Sequence, residues 1–170
     1  PPPTSTLFPY TTLFRSELGS NSALIVDEGT NLKKVMPRIV AGSFSNQGQV
    51  CISIQRIFVH ESIVEEFTSL FIEEARKLKV GNPLDEETDL SAMISQNDVN
   101  RAKTWIQSAV ENGAELALGG DSIEQVLNPT VLLNAKSTDK ISCEEVFAPV
   151  VHINTFNDFN EAIAKVNESQ

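Results

Sequence analysis

The sequence predicts an α/β fold in which helices cover both faces of a mostly parallel sheet. Short apolar runs alternate with stretches whose apolar residues recur at helical spacing, as is typical of strand–helix–strand units. No internal repeat or low-complexity region competes with this pattern. A chain of 170 residues, 41% of them hydrophobic, can also bury a core without disulfides or metal ions. These observations indicate an ordinary globular domain.

The first sixteen residues, PPPTSTLFPYTTLFRS, differ from the rest of the chain. Their prolines favour irregular backbone, and their apolar residues follow neither a helix nor a strand period. The segment also resembles the translation of a sequencing adapter. We therefore interpret residues 1–16 as a disordered or artefactual leader and expect the domain to occupy residues 17–170.

The elements of the first third are predicted from short patterns. The apolar run Ala23–Val26 is typical of a buried strand. Apolar residues between Leu32 and Val40 recur at helical spacing and predict a helix with Asn31 as its N-cap. Pro37 should either kink this helix or lie near its start. Gln55–Val59 is predicted to be the second strand.

The middle of the chain is predicted to be mainly helical. The apolar stripe of Ser62–Lys79 is the clearest helix pattern, and its first residue could form a capping box with Glu65. A loop should follow at Gly81–Asp85. A further stripe from Val99 to Val110 predicts another helix, which should end at Gly113 as the C′ residue.

The last third returns to short strands and ends in a helix. Strands are predicted at Glu115–Leu118, Val131–Leu133 and Val150–Ile153. The last helix should bury one apolar face, made of Phe156, Phe159, Ala162, Ile163 and Val166.

Charge and hydropathy exclude several classes of function. The chain has 13 Lys and Arg against 23 Asp and Glu, a net charge of -10, which repels nucleic acid and anionic membranes. It contains no apolar stretch of about 18 residues and no signal-peptide pattern. We therefore expect a cytoplasmic protein with neither nucleic-acid nor membrane partners.

Cys51 and Cys143 form neither a CxxC pair nor a metal-ligand pattern, so neither a disulfide framework nor a metal site is expected. Gly48 lets the backbone bend before Cys51, which places this thiol on a turn. Such a thiol is either a buried small hydrophobe or a nucleophile. His60 and His152 are more typical of structural residues than of its catalytic partners.

Carboxylates suggest two further sites. Glu17 precedes the first strand and could be a functional group or a solvated surface residue. Glu145 and Phe147 would point the same way in an extended segment, where they could hold a ribose and pack on a flat ring. The alternative is an acidic turn before the strand near Val150.

Three motifs in a fixed order resemble those of the aldehyde dehydrogenase superfamily. They are Glu17-Leu18-Gly19, Gly48-Gln49-Val50-Cys51 and Glu144-Glu145-Val146-Phe147-Ala148-Pro149. The segments Gly81-Asn82-Pro83 and Asn128-Pro129-Thr130 are similar to two further landmarks of the family. Ser20, Ser53 and Ala148 depart from the usual motif residues without removing a functional group. The resemblance covers residues 17–170 and implies an incomplete aldehyde dehydrogenase-like catalytic domain.

The resemblance implies a role for each motif. Cys51 would attack an aldehyde and Glu17 would activate the water that hydrolyses the resulting thioester. Glu145 would bind ribose hydroxyls of NAD or NADP, Phe147 would limit the position of the nicotinamide ring, and Leu18 and Gly19 would also contact the cofactor. The whole enzyme would be a dimer or tetramer that oxidises a small-molecule aldehyde to a carboxylic acid.

Some questions stay open at this level. A CoA-acylating enzyme is one alternative, although a water-activating Glu17 argues against it. A non-catalytic protein that retains the fold is another. The family's second oxyanion donor and adenosine-binding residues have no counterpart here, so the fragment alone should be inactive. The sequence selects neither the aldehyde, the choice between NAD and NADP, nor the oligomeric state.

Overall fold

The computed structural model describes residues 19–168. The strands are β1 (Ser22–Val26), β2 (Ile54–His60), β3 (Glu115–Leu118), β4 (Ser122–Ile123), β5 (Val126–Leu127), β6 (Thr130–Leu133) and β7 (Val150–Phe156). The helices are α1 (Leu32–Phe44), α2 (Val64–Ala75), α3 (Gln96–Glu111), α4 (Lys140–Cys143) and α5 (Phe159–Asn167).

The main sheet has the strand order β1-β2-β7-β6-β3. Its first four strands in this order are parallel, and β3 pairs with β6 in the antiparallel direction at one edge. Strands β4 and β5 form a separate antiparallel hairpin. The prediction of an α/β fold with a mostly parallel sheet is therefore confirmed.

Successive residues of the central strands pack against helices on opposite faces. Ile57 and Val59 of β2 lie in one apolar cluster with α1 and α2. Phe58, between them, packs on the other face against Ala162 of α5. Leu132 of β6 joins α3 and α4 in a third cluster on that face. Because side chains alternate along a strand, this arrangement buries both faces of the sheet.

Helix α1 begins as predicted. The Asn31 side chain accepts a hydrogen bond from the backbone N–H of Lys34, at 3.1 Å, and so caps the first turn. Pro37 lies in the second turn, and the helix continues through it to Phe44. Helix α1 ends shortly before the segment that contains Cys51.

Helix α2 differs from the prediction at both ends. The capping box of Ser62 and Glu65 is wrong, because the His60 ring accepts the Ser62 N–H at 3.2 Å and caps a 3₁₀ turn instead. The helix ends at Ala75 rather than Lys79. The backbone of Lys79 bonds with Asp89, whose N–H donates to the Lys79 carbonyl at 2.9 Å. This long-range pairing replaces the last predicted turn.

The other two long helices confirm most of their patterns. Helix α3 is followed by Gly113, whose φ of 109° makes it the predicted terminator. In α5 only Ala162 is fully buried, and Phe159 and Ile163 are 50% and 42% exposed. Phe156 belongs to β7 rather than to the helix. The predicted inner face of the last helix is thus only partly correct.

The buried His152 makes stability depend on pH. Burial lowers the pKa of its imidazole from 6.5 to about 4, so the folded state holds the neutral ring where the unfolded chain is protonated. The contribution of this neutral ring to the free energy of unfolding is complete above pH 6.5 and is lost as the pH falls toward 4. We expect the free energy of unfolding, from urea titrations, to fall by about 2 kcal/mol between about pH 7.5 and about pH 5.

The control for this prediction is His152→Gln, which retains a neutral polar side chain and leaves His60 in place. This variant should lose most of the pH dependence over the same interval. An equal fall in both proteins would show that other groups cause it.

None of the helices within residues 19–168 combines the length and apolar character needed to cross a bilayer.

Candidate active site

The candidate site is centred on a turn at Val50–Ser53, which we call the cysteine turn. The Ser53 N–H donates to the Val50 carbonyl at 2.8 Å, so Cys51 and Ile52 occupy the middle of the turn. Both residues are exposed, Ile52 at 80%. As predicted, the Cys51 thiol lies on a turn between a helix and β2, where solvent can reach it.

The approach to this turn has an unusual backbone. Asn46, Gln47 and Gly48 follow α1 with φ values of 51°, 58° and 66°, three consecutive left-handed residues. Glycine adopts this conformation at little cost, whereas asparagine and glutamine are held there by their surroundings. The sequence indicated only the glycine.

Hydrogen bonds anchor the cysteine turn on two sides. The Ser53 hydroxyl donates to the Ser43 carbonyl at the end of α1, at 3.1 Å. The Gln49 side chain accepts the backbone N–H of Ile94 at 2.9 Å. The turn is therefore tied both to the preceding helix and to the loop before α3, which limits its movement relative to the core.

Gly48 also packs this region against the motif of residues 144–149. A Cβ built on Gly48 would overlap the backbone carbonyl of Ala148 and lie 3.2 Å from the nitrogen of Pro149. The chain segments that contain Cys51 and Glu145 therefore pack backbone to backbone. This contact brings together two motifs that are almost a hundred residues apart in the sequence.

The segment from Glu144 to Ala148, here the carboxylate segment, is not extended throughout. Phe147 has a φ of 46°, so the backbone is not extended at this residue, and the condition under which Glu145 and Phe147 would point the same way is not met. The bends between Glu144 and β7 fit the alternative, an acidic turn before that strand.

Glu145 meets the region that precedes β1. Its Oε1 accepts the backbone N–H of Ser20 at 3.1 Å, and its carboxylate lies directly against the Cα of Gly19, where a Cβ would overlap it. The side chains of Glu145 and Phe147 are both half-buried. The structure thus places Gly19 and Glu145 together, while Glu17 and Leu18 lie outside the described residues.

Three side chains outside the predicted motifs hold this arrangement together. Gln55 of β2 is 4% exposed and bonds to the carboxylate segment from the strand that follows Cys51. The Asn21 amide donates to the Ser142 carbonyl at 2.6 Å, and Arg56 donates to the Asn21 carbonyl at 2.8 Å. The sequence signal for these residues was the adjacent polar pair Gln55 and Arg56 within an otherwise apolar strand, since buried polar side chains need hydrogen-bond partners.

The predicted structural histidines and the second cysteine lie elsewhere. His60 caps the turn before α2, and His152 is buried on β7. Cys143 ends α4, with its thiol 3.9 Å from the Thr138 carbonyl. No contact among the described residues joins any of these three side chains to Cys51.

Two of the cavities differ in their position relative to the cysteine turn. A groove of about 270 Å³ runs beside the cysteine turn and is lined by Ala41, Gly42, Ser45, Val50, Ile52 and Ser53. A larger cavity of about 570 Å³ lies between α4 and α5, with Arg56 and His152 in its wall, and contains neither Cys51 nor Glu145. We associate the groove with the site because Val50, Ile52 and Ser53 of the cysteine turn line it.

Comparison with known proteins identifies the family of the chain. A profile of the aldehyde dehydrogenase family matches residues 11–170. The 3-sulfolactaldehyde dehydrogenase of Priestia megaterium is 44% identical over 153 residues, which are 90% of this chain and 32% of that enzyme. The chain therefore spans about a third of the length of the curated relatives it matches.

Solved structures of the same class resemble the fold closely. The betaine aldehyde dehydrogenase of Staphylococcus aureus in complex with NAD+ has a TM-score of 0.86 and 31% identity, covering 90% of this chain and 32% of that one. The NADP-dependent glyceraldehyde-3-phosphate dehydrogenase of Bacillus halodurans in complex with NADP has a TM-score of 0.85 and 34% identity, with the same coverage. Both cofactors thus occur among close structural neighbours.

Proposed function

The chain belongs to the aldehyde dehydrogenase family, and we propose that its whole protein oxidises a small aldehyde to a carboxylic acid with NAD or NADP. The observation that carries this proposal is the exposed Cys51 on an anchored turn, packed through Gly48 against the segment of Glu145. A nucleophile and a cofactor-binding carboxylate are thereby held on one rigid scaffold.

Cys51 acts as the nucleophile in this proposal. Its thiolate adds to the aldehyde carbon and forms a thiohemiacetal, whose oxyanion is stabilised in part by the Cys51 backbone N–H. Loss of a hydride from that carbon leaves a thioester on Cys51. Water then attacks the thioester, releases the carboxylic acid and restores the thiol. Overall, aldehyde and water give the acid, one proton and a hydride held by the reduced cofactor.

The residues near Glu145 fit the nicotinamide half of the cofactor. A half-buried carboxylate with one oxygen on the Ser20 N–H can still accept hydrogen bonds from the hydroxyl groups of a ribose. Gly19 has no side chain, which lets this carboxylate pack directly against its Cα. Phe147 would restrict the ring, and Leu18 would add a contact. When bound, the cofactor supplies the hydride acceptor.

Glu17 serves as the general base that activates the hydrolytic water. A carboxylate can remove a proton from water as it attacks the thioester, whereas a CoA-acylating enzyme passes the acyl group to a thiol and needs no such base. The presence of Glu17 therefore favours hydrolysis. The substrate would reach Cys51 along the groove beside Ile52, whose apolar lining suits a short carbon chain.

Two further properties complete the proposal for the whole protein. We place it in the cytoplasm, and we expect a homodimer or homotetramer, as the resemblance implies. Its substrate class is small aldehydes, of which the sulfolactaldehyde of the Priestia relative is one.

The experiment uses a hybrid enzyme in which residues 17–170 replace the matching segment of the Priestia enzyme. We expect it to reduce NAD or NADP when given that enzyme's aldehyde, as measured by the absorbance of the reduced cofactor. A hybrid that folds and binds cofactor but oxidises no aldehyde would overturn the proposal.

Glu17→Gln in the hybrid separates the two half-reactions. Because the amide cannot act as a base, we expect a stoichiometric burst of reduced cofactor followed by a steady rate at least about a hundredfold lower. Stopped-flow absorbance would resolve the two phases. A steady rate equal to that of the parent hybrid would contradict the assignment of Glu17.

A further inference from the structure

Gln55 forms a buried link between β2 and the carboxylate segment. Its Nε2 donates to the carbonyls of Ile141 and Glu144, at 3.1 and 2.6 Å, and its Oε1 accepts the N–H of Val146 at 2.9 Å. Ile141 lies within α4, and Glu144 and Val146 lie between α4 and β7. A single amide on the strand that follows Cys51 thus fixes a chain segment some ninety residues away.

Two of these bonds satisfy backbone groups of buried residues, those of Ile141 and Val146. Gln55 is 4% exposed, and Val146 and Ile141 are 2% and 0% exposed. Removing one partner of a buried hydrogen bond leaves the other group without compensation, which costs more than the bond contributes. The Gln55 amide therefore determines the course of the carboxylate segment instead of merely accompanying it.

The fixed groups lie on both sides of Glu145. The carbonyl of Glu144 belongs to the peptide bond before Glu145, and the N–H of Val146 belongs to the one after it. With both peptide planes held by Gln55, the Cα–Cβ bond of Glu145 has one direction. That direction brings its Oε1 to the Ser20 N–H at 3.1 Å.

We infer that Gln55 is a positioning residue that holds the Glu145 carboxylate where the nicotinamide-side ribose binds. It connects the strand of the nucleophile to the cofactor contact, so Cys51 and the ribose keep a fixed relation. The effect of Gln55 is indirect, because it acts through Glu145 and contacts neither substrate nor cofactor. The inference rests on the proposed function, in which Glu145 binds that ribose.

A purely structural role predicts a different result. Loss of fold stability would reduce the amount of folded enzyme and with it the apparent kcat, and would leave both KM values unchanged. A positioning role predicts a rise in the KM for the dinucleotide, while the KM for the aldehyde and the alkylation rate of Cys51 by iodoacetamide stay unchanged. The two roles are therefore distinguishable in one set of variants.

The test compares Gln55→Leu, Gln55→Glu and Asn154→Leu in the hybrid enzyme. Asn154→Leu is the matched control, since it also removes an amide that donates to a backbone carbonyl, that of Ala135 at 2.7 Å. We expect Gln55→Leu to raise the KM for NAD or NADP by about tenfold or more, with little change in kcat at saturating cofactor. Asn154→Leu should leave this KM unchanged.

The Gln55→Glu variant adds a pH signature. Its ionised carboxylate would face two carbonyl oxygens, but the protonated form has one donor and one acceptor and resembles the amide. Relative to the parent hybrid at each pH, its KM for the dinucleotide should fall toward the parent value as pH decreases. Gln55→Leu should show no such rescue.

A direct structural readout keeps the inference separate from the proposed function. In the 170-residue chain, NMR should show the Ser20 amide proton shifted in Gln55→Leu and unchanged in Asn154→Leu. If the parent hybrid has no activity, the proposed function fails and this amide decides the positioning claim. The positioning claim is overturned if the Ser20 amide proton is not shifted in Gln55→Leu. It is also overturned if the hybrid is active and Gln55→Leu has the same KM for the dinucleotide as the parent hybrid.

Discussion

Cys51→Ala in the hybrid enzyme is expected to lower kcat for aldehyde oxidation at least about a thousandfold, because it removes the thiol that forms the thioester. Cys51 is exposed in the middle of the cysteine turn, and alanine is compatible with that position. The fold and the dissociation constant for the dinucleotide should therefore be unchanged. Steady-state kinetics together with a binding titration would separate these effects.

The matched control is Cys143→Ala. This second thiol ends α4 and bonds at most weakly to the Thr138 carbonyl, at 3.9 Å, so its loss should leave kcat within about twofold of the parent. Equal losses in the two variants would indicate general thiol chemistry. Substantial turnover by Cys51→Ala would remove Cys51 from the mechanism.

Gly48→Ala should produce the largest loss of stability in the region of the site. Alanine at a φ of 66° costs about 1 kcal/mol, and its Cβ would in addition overlap the backbone of Ala148, which cannot move as a flexible side chain would. We expect the free energy of unfolding to fall by about 3 kcal/mol in urea titrations of the 170-residue chain.

Gly29→Ala separates the two causes. Gly29 has a φ of 79° but no atom within 4 Å of a built Cβ, so only the conformational cost applies. Its expected loss is about 1 kcal/mol. If both variants lose the same amount, the backbone contact between the cysteine turn and the carboxylate segment contributes nothing.

Local patterns predicted those parts of the fold that depend on local forces. Asn31 caps α1, Gly113 terminates α3, and the short apolar runs form strands, of which the central ones have both faces buried. The alternation of strands and helices was sufficient to predict the parallel sheet. Where burial and capping act within a few residues, the sequence carries the information directly.

Errors arose where distant segments compete with local preference. The Ser62–Lys79 pattern continues past Ala75, but Asp89 and Leu90 bond to the backbone of Lys79 and end the helix early. The error at the start of this helix is local, because the imidazole of His60, two residues before Ser62, replaced the predicted capping box. Neither partner could be identified from the helix pattern alone.

The site was predicted as a set of residues, but its geometry was not. The motifs of Cys51 and Glu145 could be selected from the sequence, whereas the left-handed Phe147 and the contact of Gly48 with Ala148 required the folded chain. Gln55 gave only a weak signal, a polar residue in an apolar strand. Its three bonds all cross to a segment that sequence patterns cannot place beside β2.

The central claim, that Cys51 carries the acyl group, has a direct test by mass spectrometry. The Glu17→Gln hybrid is mixed with the aldehyde and oxidised cofactor, quenched in acid and digested. We expect the peptide that contains Cys51 to gain the mass of the acyl group, and the peptide that contains Cys143 to be unmodified. Reduced cofactor formed without any acylation of Cys51 would contradict the claim.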